Sequence, residues 1–471
     1  MTDVDAILDN ARYLRDVRPI DPEEIYEYVP DQPHPAVVRQ TLREHAFELG
    51  LRERDDGTFV PVEDDPVAPD FDGVDRFPER WSRRLEDRLV ERYGSGWPDG
   101  ESGDRLRDRI DELKAEYFAG EDVVYDEATA LSYAIYHLPD YYAAIQYVLA
   151  DLAADGLLSS RLRILDVGAG VGGPALGVHD FLPEASLVAY DAVEPSAAAD
   201  LFEHLLDETR PSFETTVHRE TAEAFDLDSE YDLLVFANVL SELDEPVAVV
   251  DRYLEALADD GTLLALSPAE KNTATLLREV ERDLLDRRPE TTVYAPTVRL
   301  WPDAEPEDRG WTFTREPELA VPPFQRRLDE GETTDGRRDD AGDGTYINTD
   351  VQYAYLLLRT DGRRAIEYEP DPDRVAMMGE SDRHVTERVD YVGIKLSPDI
   401  GESNPLFKVG DGSEAVDHYA VLMRESELNA DLRRAPYGAL LRLENVLVLW
   451  NDDEEAYNLV VDDESVVDRL A

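Results

Sequence analysis

Apolar positions recur at helical spacing in three short runs at the start of the chain. The run Ile7–Val17 is amphipathic. Asp21-Pro22-Glu23-Glu24 opens a second helix with an N-cap and a proline in its first turn. His34-Pro35-Ala36 starts a third, which runs to about Leu49 with Gly50 as its C-cap. Residues 51–62 then read as a hairpin turning at Asp56-Gly57. Three helices and a two-stranded wing predict a winged-helix-like domain over residues 1–62. It reads either as a nucleic-acid contact through Arg39, Arg43 and the wing, or as a docking domain, since Glu44 and Glu48 share the third helix.

A Pro/Asp-rich linker follows over residues 63–76. Residues 77–157 read as a helical segment, ending in helices over Ala128–Pro139 and Tyr141–Leu157. The aromatics of these helices recur at helical spacing, which favours core packing over ligand contact. His137, beside Leu138-Pro139, reads as a structural histidine or as a neighbour of an active site. From 158 to 364 strand and helix patterns alternate, which implies an α/β domain with a parallel sheet, interrupted by a flexible acidic loop at 329–345. Val351–Arg359 is a strand that rejoins this sheet. Residues 385–471 are rich in strands, with Tyr437–Val461 as a long hairpin. They form a small barrel of OB type or a β-rich packing domain.

Composition narrows the setting. The 471 residues suggest about three domains. Asp and Glu number 107 against 47 Lys and Arg, for a net charge of −60. Four of the bases are lysines (Lys114, Lys271, Lys395 and Lys408) and the rest are arginines. The acid is spread along the chain, which favours a halophilic cytoplasm over a dedicated basic partner. In molar salt the Debye length is about 3 Å, so the charge does not exclude an RNA partner. There is no Cys, which excludes disulfides, thiolate metal sites and a Cys nucleophile. No run of about 18 apolar residues suggests a membrane span or membrane partner. The acidic start, Met1-Thr-Asp-Val-Asp5, does not read as a signal peptide.

The densest chemistry lies at 163–194. Arg163–Val167 is an apolar strand, Gly168-Ala169-Gly170-Val171-Gly172-Gly173 follows, and Pro174–Asp180 begins a helix. Glycines at a strand-to-helix turn let a ligand approach the backbone closely. The next strand, Ser186–Val193, ends at Glu194, 22 positions after Gly172. That is close to the spacing of about 20 expected of a ribose-binding carboxylate. Asp191 is the weaker alternative because it falls within the strand. Thr216–Phe225 would bring Glu223 beside an adenine, Tyr231–Leu243 runs into a loop at Asn238, and Gly261–Ser267 forms the fifth strand. The expected cofactor site is therefore Asp166, Gly168, Ala169, Gly170, Gly172, Glu194, Glu223 and Asn238, gathered beyond the carboxyl ends of the strands. No catalytic residue is assigned; Asn238 is a guess from placement.

The acid before the glycines and the order of Tyr231-Asp-Leu-Leu-Val-Phe-Ala-Asn-Val-Leu-Ser-Glu-Leu243 and Asp259-Asp-Gly-Thr-Leu-Leu264 resemble class I methyltransferases. The resemblance implies S-adenosyl-L-methionine as cofactor rather than NAD. Ala237-Asn-Val-Leu240 replaces an Asn-Pro-Pro-Tyr motif, which disfavours amino-directed base methylation. The covalent cytosine-C5 route is excluded for want of a Cys.

Residues 125–364 resemble more specifically a methyltransferase-like family associated with the small ribosomal subunit. The match rests on Ala130–Pro139, Leu165–Gly170, Tyr231–Leu243 and Val351–Arg359. It implies rRNA methylation or subunit assembly, with the small subunit or its rRNA as partner. Many members bind an iron–sulfur cluster. Here Ala295-Pro-Thr297, Trp301-Pro302 and Trp311-Thr-Phe313 stand where the thiols would be, so no cluster is expected, and Trp301 and Trp311 are read as packing in its place. Ser267-Pro-Ala-Glu270 also departs from the family's Glu-Pro-Gly-Thr. Three roles follow: a methylating enzyme, a non-catalytic assembly factor that binds the cofactor, and, less favoured given the large flanking domains, a small-molecule methyltransferase.

Overall fold

A computed structural model describes residues 4–30, 32–54, 56–119, 123–334, 336 and 341–471. Residues 1–3 of the acidic start, and 335 and 337–340 of the acidic loop, lie outside the described residues. The chain forms two compact units, Met1–Val235 with Pro317–Val351 and Phe236–Glu316 with Gln352–Ala471. Secondary structure is mixed α/β.

In the first unit, α1 (Val4–Leu14), α2 (Pro22–Tyr28), α3 (Pro35–Glu44) and α4 (Ala46–Leu49) precede a hairpin of β1 (Leu51–Glu53) and β2 (Phe59–Pro61). Asp21 caps α2, its side chain accepting from the Glu23 N–H at 2.8 Å. Ile7, Ala11, Ile25, Val38, Leu42 and Phe59 bury together. The expected single third helix is broken at His45, whose φ of −114° and ψ of 15° leave the helical region. Gly50 then closes α4 at φ +61°.

Three longer helices follow: α5 (Glu79–Tyr93), α6 (Gly100–Ala119) and α7 (Glu127–Ala154). Sequence predicts two helices where α7 is one, with Pro139 inside it. Proline removes the N–H that would serve the Ile135 carbonyl and crowds that carbonyl. The loss is made good from elsewhere. The Gln325 side-chain amide donates to Ile135 O at 2.8 Å and Tyr136 O at 3.3 Å, and Asn348 Nδ2 donates to Tyr136 O at 3.1 Å. Gln325 is fully buried, so this repair is part of the core.

The sheet of this unit holds β3 (Arg161–Val167), β4 (Leu187–Val193), β5 (Phe213–His218) and β6 (Tyr231–Ala237, the strand at which the chain passes into the second unit). Their order is β5-β4-β3-β6, all parallel, with Asp166 level with Ala192 and Val235. Helices α8 (Gly173–Phe181) and α9 (Ala198–Leu206) follow β3 and β4. Helix α7 lies against α8 at glycine distance: a Cβ on Gly177 would meet Ile145 Cγ2 at 2.5 Å and Tyr142 O at 2.6 Å. The strand expected to reach Phe225 stops at His218, and polar residues 219–221 continue as loop.

The second unit contains α10 (Pro246–Tyr253), β7 (Leu257–Pro268), α11 (Lys271–Arg287), β8 (Thr292–Ala295), β9 (Thr314–Glu316) and β10 (Val351–Arg359). Strand β10 runs antiparallel between β7 and β8. The C-terminal strands are β11 (Arg388–Lys395), β12 (Leu406–Gly410), β13 (His418–Leu422), β14 (Leu440–Asn451), β15 (Ala456–Val461) and β16 (Val466–Arg469). They pair in the order β11-β12-β13-β15-β14-β16, and β11 also pairs with β14, closing a small barrel. Tyr391, Phe407, Leu432, Leu441 and Leu459 fill it. Lys408 is buried between Asp308 at 2.5 Å and Asp417 at 2.7 Å, so its charge is paired on two sides. The Trp301 indole donates to Asp411 Oδ2 at 2.8 Å, and Trp311 stacks on Phe313. Thr297 accepts from the Ile366 N–H at 3.3 Å.

Candidate cofactor site

Strand β3 delivers Asp166 and Val167 to a loop whose glycines 168, 170 and 172 all have positive φ, at +71°, +55° and +85°. Gly172 is the critical one. It caps α8, and a Cβ there would stand 2.1 Å from Phe202 Cδ2 of α9. The N–H groups of Gly168 and Ala169 both donate to the Val193 carbonyl, at 2.9 and 3.1 Å, so the loop is tied to the end of β4.

Glu194 continues that tie. It is 7 % exposed; one carboxylate oxygen accepts from the Gly170 N–H and the other from the Ser196 N–H, each at 2.8 Å. A carboxylate has about four acceptor positions, so two protein bonds leave capacity for two more. Sequence anticipates the residue and its place; the bond back to the glycine loop is new.

Asp166 lies fully buried beneath the loop. The Tyr190 hydroxyl donates to its Oδ2 at 2.7 Å, while Oδ1 is buried with no hydrogen-bond partner. Burial pushes its carboxyl up to about 7; Tyr190 opposes this and the nearby Glu194 charge adds to it. An orphaned buried acceptor is costly unless something fills it. Asp191 instead pairs with His218 Nε2 at 2.9 Å and accepts from the Tyr231 hydroxyl at 3.3 Å. Glu223 is exposed in a turn after β5. Asn238 belongs to the second unit, at φ +59° with its N–H on Leu266 O at 2.9 Å. The first unit thus brings together Asp166, Gly168, Ala169, Gly170, Gly172 and Glu194.

One group of residues is read differently from sequence. Tyr133, His137 and Tyr141 of α7 are half-buried rather than core, and their rings make a continuous rung. Centroids are 5.6 Å apart for Tyr125–Tyr133, 5.0 Å for Tyr133–His137 and 5.2 Å for the stacked His137–Tyr141 pair. One end meets the loop after Glu194, where the Ala197 N–H donates to Tyr125 O at 3.3 Å. The other meets the glycine loop, where a Cβ on Gly173 would lie 3.1 Å from Tyr141 Cβ. The spacing of four residues in 133, 137 and 141, beside a proline within the helix, was the available signal.

Residues 165–263 match the model of a methyltransferase domain. This segment is a methyltransferase domain. Its cofactor is S-adenosylmethionine. The residues that precede and follow the methyltransferase domain match a family of unknown function, DUF8157: residues 4–55 its N-terminal domain and 379–470 its C-terminal domain. A search of curated proteins finds no match. Solved structures similar to the chain include the plantazolicin methyltransferase BpumL in complex with a triazolic desmethylPZN analogue and SAH, at 12 % identity, 55 % of this chain, 99 % of that chain and a TM-score of 0.31. A putative methyltransferase from Thermoplasma acidophilum follows at 11 %, 43 %, 70 % and 0.27. An S-adenosylmethionine-dependent methyltransferase from Clostridium acetobutylicum stands at 10 %, 34 %, 57 % and 0.22. Nothing among these matches names a ribosomal component.

The methyltransferase domain fits its cofactor on its own geometry. Asp166 offers an unfilled acceptor and Glu194 spare lone pairs. Among the described residues there is no cluster of His, Asp and Glu that could hold a metal, and no helix long and apolar enough to cross a membrane.

Proposed function

We propose that the chain transfers the methyl group of S-adenosylmethionine to an acceptor presented beside the glycine loop. The observation that carries this reading is the pairing of an orphaned, buried Asp166 oxygen with a Glu194 carboxylate that already holds the loop. Asp166 would receive the ammonium end of the methionine portion, the glycine loop its close approach, and Glu194 the ribose hydroxyls. When bound, the cofactor supplies a sulfonium-activated methyl carbon. The chain's part is to hold donor and acceptor in line, from which most of the rate can come.

For the acceptor we propose the small ribosomal subunit or its rRNA, a reading supported by the sequence resemblance alone. The strand pairing β11-β12-β13-β15-β14-β11 supports an OB-like barrel, and the residues 4–61 a winged-helix-like domain, both suited to docking on RNA. Spread of the acid along the chain supports working at molar salt.

Calorimetry with S-adenosylhomocysteine in molar KCl tests the cofactor site; micromolar uptake is expected, and none refutes the reading. Methyl-tritiated cofactor, offered with small subunits and separately with small metabolites from a host deleted for this chain, then tests the acceptor. Label in the subunit fraction supports the proposal. Label confined to metabolites overturns the ribosomal acceptor. Cofactor binding with no label in either fraction leaves the assembly-factor role in its place.

A further inference from the structure

Helix α7 carries a histidine whose surroundings go beyond packing. His137 Nδ1 lies 3.3 Å from Asp140 Oδ2, and Asn348 Nδ2 donates to that same oxygen at 3.0 Å. The other Asp140 oxygen accepts from the Tyr141 N–H at 3.0 Å. Asp140 is thus fixed on both oxygens, and it fixes in turn the orientation of the imidazole. Carboxylate on Nδ1 leaves Nε2 as the basic nitrogen. Among the described residues Nε2 has no hydrogen-bond partner, and the His137 side chain is 31 % exposed.

Its position matches this arrangement. The Leu138 carbonyl, next in the chain, would stand 3.4 Å from a Cβ on Gly173, at the first turn of α8. His137 is also the third ring of the rung that joins the loop after Glu194 to the glycine loop. Beside Pro139, Asn348 reaches both the Tyr136 carbonyl and Asp140. A helix that needed only a packed face would gain nothing from an interior proline and its repair.

We infer that His137 is the general base of the methyl transfer, and that the acceptor is a nitrogen or oxygen bearing a weakly acidic proton on a planar ring. The inference rests on the methyl-transfer reading above. As the acceptor atom bonds to the methyl carbon, the carbon–sulfur pair leaves with sulfur. The acceptor's proton passes to His137 Nε2 and from there to solvent, so charge and atoms balance. The flat acceptor lies against the Tyr133 and Tyr141 rings. Asp140 and Asn348 are positioning residues. The titratable groups facing His137 are Asp140, Tyr133, Tyr136 and Tyr141 of α7; Lys114 of α6 sits 4.2 Å over the Tyr136 ring and near Tyr346.

The test uses the full chain, methyl-tritiated S-adenosylmethionine and an extract of a host deleted for this chain. His137→Gln should label on the order of 100-fold to 10,000-fold more slowly than wild type. Its affinity for S-adenosylhomocysteine should stay within twofold. Wild-type rate should fall on acidification, and the residual rate of the variant should not. In the cofactor-free protein, Asn348→Ala should shift the His137 Cε1–H resonance, since Asn348 holds Asp140 against the ring. A His137→Gln rate within threefold of wild type overturns the inference, as does a wild-type rate that does not fall on acidification while the protein stays folded. The pH profile decides by itself if the variant misfolds and loses cofactor binding. A wild-type protein that binds cofactor and labels nothing refutes methyl transfer, and the base with it.

Discussion

Replacing Glu194 by Gln removes a charge while keeping the shape, and its effect can be worked through bond by bond. The wild-type carboxylate accepts from Gly170 N–H and Ser196 N–H at 2.8 Å each. A glutamine can serve one of these with its carbonyl and must face the other with its own NH2. One buried backbone donor is then left unpaired, at about 1–3 kcal/mol. For a unit of this size that is a melting temperature lower by about 2–12 °C. Cofactor binding suffers separately. A ribose hydroxyl donating to a charged acceptor contributes about 1.5–3 kcal/mol, so its loss weakens S-adenosylhomocysteine about 10-fold to 150-fold. Titration calorimetry in molar KCl, below the melting range of both proteins, reads this directly. Free adenosine should weaken by a similar factor and methionine should be unaffected. A variant that melts lower yet binds S-adenosylhomocysteine within twofold of wild type would falsify the ribose assignment and leave Glu194 as a clamp of the loop.

Three other outcomes follow from the same geometry. Gly172→Ala meets both a left-handed backbone, at about 1–2 kcal/mol, and the Phe202 ring, at about 1–3 kcal/mol more. Gly170→Ala meets nothing nearer than 4.0 Å and should incur the backbone cost alone, so chemical denaturation should rank the two. Asp166 is raised to about 7 in the folded chain, so its contribution is complete below about pH 4, where the unfolded carboxyl is also protonated. It is lost as pH rises through about 7. Relative to Asp166→Asn, wild-type stability should fall by roughly 4 kcal/mol across that window; parallel curves for the two proteins would refute the buried acid. Gln325→Ala strips the amide from Ile135 O and Tyr136 O and should destabilise by about 1–3 kcal/mol in a thermal melt. A loss below 0.5 kcal/mol would mean that the proline in α7 needs no repair.

The glycine loop, its flanking strand and helix, and Glu194 were legible because they are local: strand, turn and helix follow one another within 32 residues, and each residue type has its own backbone reason. The continuity of α7 was not, because it depends on Gln325 and Asn348, about 190 and 210 positions away. Proline reads as a stop unless a distant amide is known to answer it. The same remoteness hid the aromatic rung, whose periodicity is that of any buried helix until its two ends are seen to meet two loops. Glu194 shows a subtler limit. Spacing picked out this carboxylate at the end of its strand, but a hydrogen bond to Gly170 leaves no trace in the order of residues. At the third helix, His45 gave no warning of a break, since nothing in its residue type forbids a helix.

The lending of Gln325 and Asn348 to α7 also fixes a timetable for synthesis. Both belong to a stretch that the ribosome makes after the first 81 residues of the second unit, Phe236–Glu316, have been polymerised. Until that stretch leaves the exit tunnel, the emerging helix carries a bare carbonyl at Ile135, and Asp140 lacks the Asn348 amide. A nascent chain stalled at Glu316 should therefore expose its helical face to proteases and chaperones, even though every strand of the parallel sheet is already outside.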